Sequence, residues 1–196
     1  MYSVPAEKKE SGFTFSVLSK EGWKDLELLF GNNGACGGCW CMTPRLSTSE
    51  YKKNKGDKNK ELFHQLLLKN EPLGVLAYYN KNPIAWCSIS PKSRLKEMKI
   101  SRIMNHTSDE NTWSIVCLFI KKEFRRKQIS TFIIDKAVEY AFKNGATTVE
   151  AYPVVTMKDK MPDVFAWAGI WKSYEKAGFK IVRQVSATKL IMARSN

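Results

Sequence analysis

Residues 113–134 read WSIVCLFIKKEFRRKQISTFII, and the order of residue types in this stretch decides how the rest of the chain is read. Trp113 to Ile120 is an apolar, partly β-branched run of strand length. Lys121 to Lys127 then places five cations in seven residues, and apolar residues follow at helical spacing. A strand, a basic loop and a helix start therefore succeed one another. The first turn of a helix offers backbone N–H groups without intrahelical acceptors and the positive end of the helix dipole. Such a terminus holds phosphate oxygens well. Arg125, Arg126 and Lys127 lie beside it, and Ser130 or Thr131 is positioned to cap it and add a hydroxyl donor.

Downstream, Ile133, Ile134, Ala137, Val138 and Ala141 form a helical apolar stripe that Asn144-Gly145 closes, and Thr147 to Val155 is a β-rich run. Residues 113–155 thus predict one βαβ unit with a parallel strand pair. Ligands of such units sit at the carboxyl ends of the strands, beside the helix start. The basic loop occupies that place.

Upstream, Phe13, Phe15 and Val17 alternate with polar residues as a strand would, and Trp23, Leu26, Leu29 and Phe30 recur as on a helix. Leu62, Phe63, Leu66 and Leu67 predict a second helix ending at Glu71-Pro72. Residues 73–79 and 83–90 read as a hairpin joined by Asn80-Lys81-Asn82. Ser93 to His106 is mixed and basic, and its pattern supports a helix or a loop equally. Residues 34–42, GACGGCWCM, are unusual. Cys36, Cys39 and Cys41 invite a metal reading, yet C-x-x-C-x-C lacks a second pair at zinc-finger distance, so a structural or pocket-lining role is favoured and no metal is expected.

At 196 residues, with 43% hydrophobic and 12% aromatic content, the chain suits one domain over residues 12–196 after a loose polar arm at 1–11. Thirty-two Lys and Arg against 19 Asp and Glu give a formal charge of +13, which favours an anionic partner without choosing among them. The cations are scattered, and the six tryptophans mostly fall at core-like positions, which argues against a nucleic-acid-binding module. No apolar run reaches the span of a membrane helix, and five cysteines make no disulfide framework. A cytoplasmic protein without a membrane partner is expected.

Two motifs carry a resemblance. Arg125-Arg126-Lys127-Gln128-Ile129-Ser130 resembles the R-x-x-G-x-G/A pyrophosphate loop of the GNAT superfamily of N-acyltransferases, with Gln128 and Ser130 standing at the two small positions. Tyr174-Glu175-Lys176-Ala177-Gly178-Phe179 is similar to the signature that closes the last helix of that family, a helix expected here from Phe165 to Gly178 with Trp167 where many members have asparagine. The likeness spans roughly residues 72–185.

The resemblance implies an α/β (α+β) fold with a mixed, mostly antiparallel central sheet, splayed parallel strands and helices on both faces. It implies acetyl-CoA as co-substrate. The backbone of Leu118, Phe119 and Ile120 would hold the pantetheine arm, and Arg125, Arg126, Lys127, Gln128, Ile129, Ser130 and Thr131 the diphosphate. A small-molecule or peptide amine would attack the thioester directly, with Tyr174 as acid for the leaving sulfur. Many members carry a carboxylate base on the fourth strand; Ile115-Val116-Cys117-Leu118 has none, so Glu150 on the next strand is the substitute. A salt-bridged Glu150 with water relaying the proton remains open. So do a fold that binds coenzyme A without catalysis, and a homodimer.

Overall fold

The computed structural model describes residues 12–95, 110–155 and 169–196. In chain order the strands are β1 (Phe13–Val17), β2 (Gly74–Tyr79), β3 (Asn82–Pro91), β4 (Thr112–Ile120), β5 (Thr148–Ala151), β6 (Lys180–Ser186) and β7 (Lys189–Ser195). The helices are α1 (Trp23–Phe30), α2 (Thr48–Asn54), α3 (Asp57–Leu68), α4 (Ile129–Lys143) and α5 (Trp171–Lys176), with short 3-10 turns at Lys92–Arg94 and Lys122–Phe124. All seven strands form one sheet in the order β1-β2-β3-β4-β5-β7-β6. Every pairing is antiparallel except β4 with β5.

The period-two alternation of the central strands feeds two cores. Val75, Ala77, Ala85 and Cys87 face the stripe Ile133, Ile134, Ala137 and Val138 of α4. Leu76 and Trp86, one residue out of step, face Leu26, Leu29 and Phe30 of α1 and Phe63 and Leu67 of α3. Helices therefore cover both faces, and the mixed α/β architecture expected from the sequence is the one adopted. The β2–β3 hairpin turns through Asn80 (φ 48°) and Lys81 (φ 65°), the two left-handed residues that a tight antiparallel turn requires.

One helix has no counterpart in the sequence reading, and two local readings change. Residues 48–54 are helical, because Ser47 accepts from the Glu50 backbone N–H while Glu50 reaches back to the Ser47 N–H; this reciprocal cap is legible in the sequence as S-x-x-E. The last helix begins at Trp171, since Ile170 is extended and bridges Val154. Residues 165–168, including Trp167, lie outside the described residues, as do the arm 1–11 and residues 96–109. Finally, no side chain caps α4. Among the described residues no helix is long and apolar enough to cross a membrane.

Candidate active site

β4 and β5 pair only from Thr112↔Thr148 to Ile115↔Ala151, yet β4 continues five residues further, to Ile120. The reason lies just past β5. Pro153 has no N–H to give to a ladder, and its carbonyl accepts from Leu190, while the N–H of Val155 goes to Thr188. Residues 153–155 are thereby drawn toward β7 and away from β4. Along Val116–Ile120 the side of β4 that faced β5 has no strand partner among the described residues, and Leu118, Phe119 and Ile120 are half-buried there. Among the described residues this leaves an unpaired strand edge, the kind of edge that an extended chain can add to.

A bulge sharpens the geometry. Ser88 pairs with Cys117 but Ile89 pairs with Ile115, so Val116 is the extra residue of β4. Val116 and Cys117 consequently share the face opposite α4, whereas Ile115 and Leu118 lie on the α4 side.

At the end of β4 the basic loop is anchored before it reaches α4. Phe124 packs on the Tyr79 ring with centroids 5.7 Å apart, Lys127 Nζ lies 5.6 Å over the Phe124 ring, and Arg125 Nε donates to the Ile120 carbonyl at 2.9 Å. Arg126 and Gln128 are both left-handed, each with φ 61°. Left-handed residues on either side of Lys127 alternate the hand of the backbone, the conformation that turns successive N–H groups into an anion-binding concavity. Gln128 stands where the resembled motif has glycine, and its positive φ is the reason glycine suits that position. The Ser130 hydroxyl, expected to cap the helix, is instead 2.9 Å from the Ser173 hydroxyl on α5. The first turn of α4 is left without a side-chain cap, beside Arg126, Lys127 and Gln128, which are exposed.

Tyr174 on α5 is fully buried, edge-on to Phe179 with centroids 5.3 Å apart. A Cβ at Gly169 (φ +80°) would lie 3.2 Å from the Tyr174 hydroxyl oxygen and 3.3 Å from Leu118, so the three converge beside the unpaired half of β4. Burial holds the phenol pKa well above its ordinary value, helped by Cys87 and Cys117. The hydroxyl therefore keeps its proton at neutral pH.

Glu150 lies on the opposite face, where β5 still pairs with β4, and is 0% exposed. Its Oε2 receives Lys92 Nζ at 2.8 Å and the Tyr152 hydroxyl at 2.7 Å, and the Tyr152 oxygen is 3.2 Å from the Ser114 hydroxyl. Burial and the Glu150 charge push the Tyr152 phenol up. Tyr152, which clusters with Val116 at the start of the unpaired part of β4, is a partner of Glu150 that the sequence reading did not name. Two further groups share this face. Arg45, 8% exposed, donates from Nη2 to Ser90 Oγ at 2.7 Å and lies 3.5 Å from Ser88 Oγ. Trp86 Nε1 donates to Cys41 Sγ at 3.2 Å. Among the described residues no three His, Cys, Asp or Glu side chains gather as a metal-binding group, and His64 stacks on Trp23 with centroids 4.4 Å apart.

The model of the Acetyltransferase (GNAT) family matches residues 40–179. Solved structures of similar fold include a PaiA N-acetyltransferase from Thermoplasma acidophilum in complex with coenzyme A, at 16% identity over 94% of this chain and 99% of that one, with a TM-score of 0.54. An N-acetyltransferase from Staphylococcus aureus Mu50 aligns at 13% identity over 94% and 99%, with a TM-score of 0.55. The ribosomal-protein-S5-alanine acetyltransferase from Vibrio fischeri aligns at 12% identity over 94% and 93%, with a TM-score of 0.56. No curated protein matches the sequence.

Proposed function

This chain belongs to the GNAT acetyltransferase family, and from that premise we propose that it transfers the acetyl group of acetyl-CoA to a primary amine by direct attack of the amine on the thioester. The observation that carries the reading is the open edge of β4 from Val116 to Ile120, with an uncapped helix start and three cations at its end. An edge strand suits the amide groups of a pantetheine arm, and an uncapped helix start suits a diphosphate. The structure with coenzyme A from Thermoplasma acidophilum shares the fold.

On this reading Leu118, Phe119 and Ile120 hold the pantetheine through their backbone groups. The N–H groups from Arg126 to Thr131 hold the diphosphate, with Arg126 and Lys127 adding charge. Arg125 acts mainly by tying the loop to the Ile120 carbonyl. Acetyl-CoA supplies an activated acyl carbon and a thiolate leaving group. Tyr174, protonated and beside Leu118, gives its proton to the departing sulfur. Glu150, acting through the Tyr152 hydroxyl, receives the proton that the nitrogen sheds once it is bonded to the acyl carbon.

The test is coenzyme binding followed by turnover. Acetyl-CoA should raise the melting temperature and protect residues 124–131 from hydrogen exchange. Arg125→Ala should weaken coenzyme binding, while Tyr174→Phe and Glu150→Gln should lower kcat with little change in coenzyme affinity. No melting shift at millimolar acetyl-CoA would overturn the reading.

A further inference from the structure

Arg45 is a buried guanidinium without a carboxylate beside it. It keeps 8% exposure, and both of its hydrogen bonds leave from Nη2 and reach neutral oxygens, Ser90 Oγ at 2.7 Å and Ser88 Oγ at 3.5 Å. Those hydroxyls give their own protons to the Pro72 and Leu73 carbonyls, at 2.6 Å and 3.1 Å, so they meet Arg45 with lone pairs and no charge. Among the described residues the buried Arg45 Nε has no partner. The carboxylates of this region are committed elsewhere: Glu71 is bonded to Arg94 at 3.0 Å, and Glu150 to Lys92 at 2.8 Å. Burial lowers the Arg45 pKa to about 10, which still leaves the group charged at neutral pH. A charge held this way is unfavourable to bury until an anion joins it.

The side chain is also held in place. The Arg45 N–H donates to the Met42 carbonyl at 2.9 Å, the guanidinium carbon lies 5.8 Å over the Phe63 ring of α3, and the two serines belong to β3. A loop, a helix and a strand therefore fix one donor group before any partner arrives, which is the condition for selective binding.

Register gives its place relative to the cleft. Ser90 stands opposite Ser114, and Ser88 opposite Cys117, the residue just past the β4 bulge. Cys117 and Phe63 lie on the face opposite α4, and Ser88 and Ser90 follow Trp86 onto it at even spacing. Neighbouring strands are about 4.8 Å apart, so the guanidinium lies roughly one strand spacing from β4, whose far edge is unpaired beyond Ile115 among the described residues. The diphosphate is read to the start of α4, on the other face and past the end of β4. The anion that suits Arg45 is thus not one of the coenzyme's phosphates.

We propose that Arg45 binds a carboxylate carried by the acceptor, so that the molecule acetylated is an amino-carboxylic acid and not a simple amine. The inference rests on the transfer reading above. A carboxylate is planar, and its two oxygens match the fork of a guanidinium. Its single negative charge also balances the one buried cation left over, since Lys92 and Glu150 already balance each other. Lying across β4, such a molecule is anchored at its acid end over β3 and presents its amine at the open edge, where the thioester is expected. Arg45 takes no part in the transfer itself; it selects the acceptor.

The experiment uses the full chain with acetyl-CoA saturating, and acceptors matched in pairs that differ in the acid group: glycine and glycinamide, 4-aminobutanoate and 4-aminobutanamide, lysine and lysinamide. In at least one pair the wild-type kcat/KM should favour the acid by roughly 30-fold or more. In Arg45→Met that ratio should fall to near one, with Arg45→Lys between the two, because an ammonium keeps the charge and loses the fork. Butanoate, which has no amine, should compete with the preferred acid in the wild type, and butanamide should not. If the wild type takes the amide as well as the acid in every pair, or if Arg45→Met keeps the wild-type ratio, the carboxylate site is overturned while the transfer reading stands. Failure of the wild type to bind acetyl-CoA, or to turn over either member of any pair, ends the transfer reading and this inference with it. If Arg45→Met does not fold, the wild-type ratios and the butanoate competition decide.

Discussion

Lys92 and Glu150 meet at 2.8 Å with almost no solvent around them, their side chains 9% and 0% exposed. Removing one partner from such a pair leaves a charge without compensation in a medium of low polarity. Lys92→Met should therefore cost about 3–5 kcal/mol, read by chemical denaturation. Adding Glu150→Gln to it should recover part of that loss, and equal stability of the single and double variants would show the pair to be of little consequence. Cys41 gives a residue-level pH signature. Its folded-state pKa is lowered, so its contribution to stability is complete above the unfolded thiol value of about 8.5 and is lost as pH falls through the lowered value. Cys39, Cys87 and Cys117 are raised, so their contributions run the other way and fade as pH climbs above that same ordinary value. Because Cys117 is raised chiefly by Cys41, comparing wild type with Cys41→Ser reads the two together: the stability gap should widen as pH rises to about 8.5 and narrow beyond it.

The start of α4 is the element on which coenzyme binding is proposed to depend, and it is held in a strained form. A non-glycine residue in the left-handed region costs roughly 1–2 kcal/mol, and Gln128 sits there with φ 61°. Gln128→Gly relieves that strain but adds entropy to the unfolded chain, so a net gain of about 0.5–1 kcal/mol is expected as a higher Tm. Acetyl-CoA affinity should stay the same or improve, because the N–H directions are kept. The cap of α2 tests a more ordinary element: Ser47→Ala removes the hydroxyl that accepts from the Glu50 N–H, keeps the backbone N–H bond from Ser47 to Glu50, and should cost about 0.5–2 kcal/mol. This helix was missed in the sequence because Thr48–Asn54 buries none of its residues. Only its cap marks it, and an apolar stripe was the signal sought. The last helix was drawn too long for the opposite reason. The apolar residues before Trp171 suit a helix by spacing, but Ile170 is claimed by a bridge to Val154 that no local pattern announces.

For the molecule as a whole, the charge of +13 and the open cleft make one joint expectation. Acetyl-CoA at 100 times its Kd should stabilise the fold by about 2.7 kcal/mol, read as a melting shift. Salt should weaken that binding moderately, because a compact diphosphate meets few cations. A steep salt dependence with duplex DNA, and none with acetyl-CoA, would redirect the whole reading toward nucleic acid.

The sequence by itself determined the local order of this protein: strand, basic loop, helix and parallel strand from 113 to 155, the hairpin before them, and the two motifs that tie the chain to its family. These are legible because periodicity and turn chemistry act over a few residues. The tertiary structure alone decided which polar groups share the face behind β4. Lys92 lies 58 residues from Glu150, Arg45 45 from Ser90, and Cys41 45 from Trp86. Their meeting depends on sheet register and on one inserted residue at Val116, which places Cys117 on its face. A register is fixed by the summed fit of both cores, and no single stretch of sequence contains that sum.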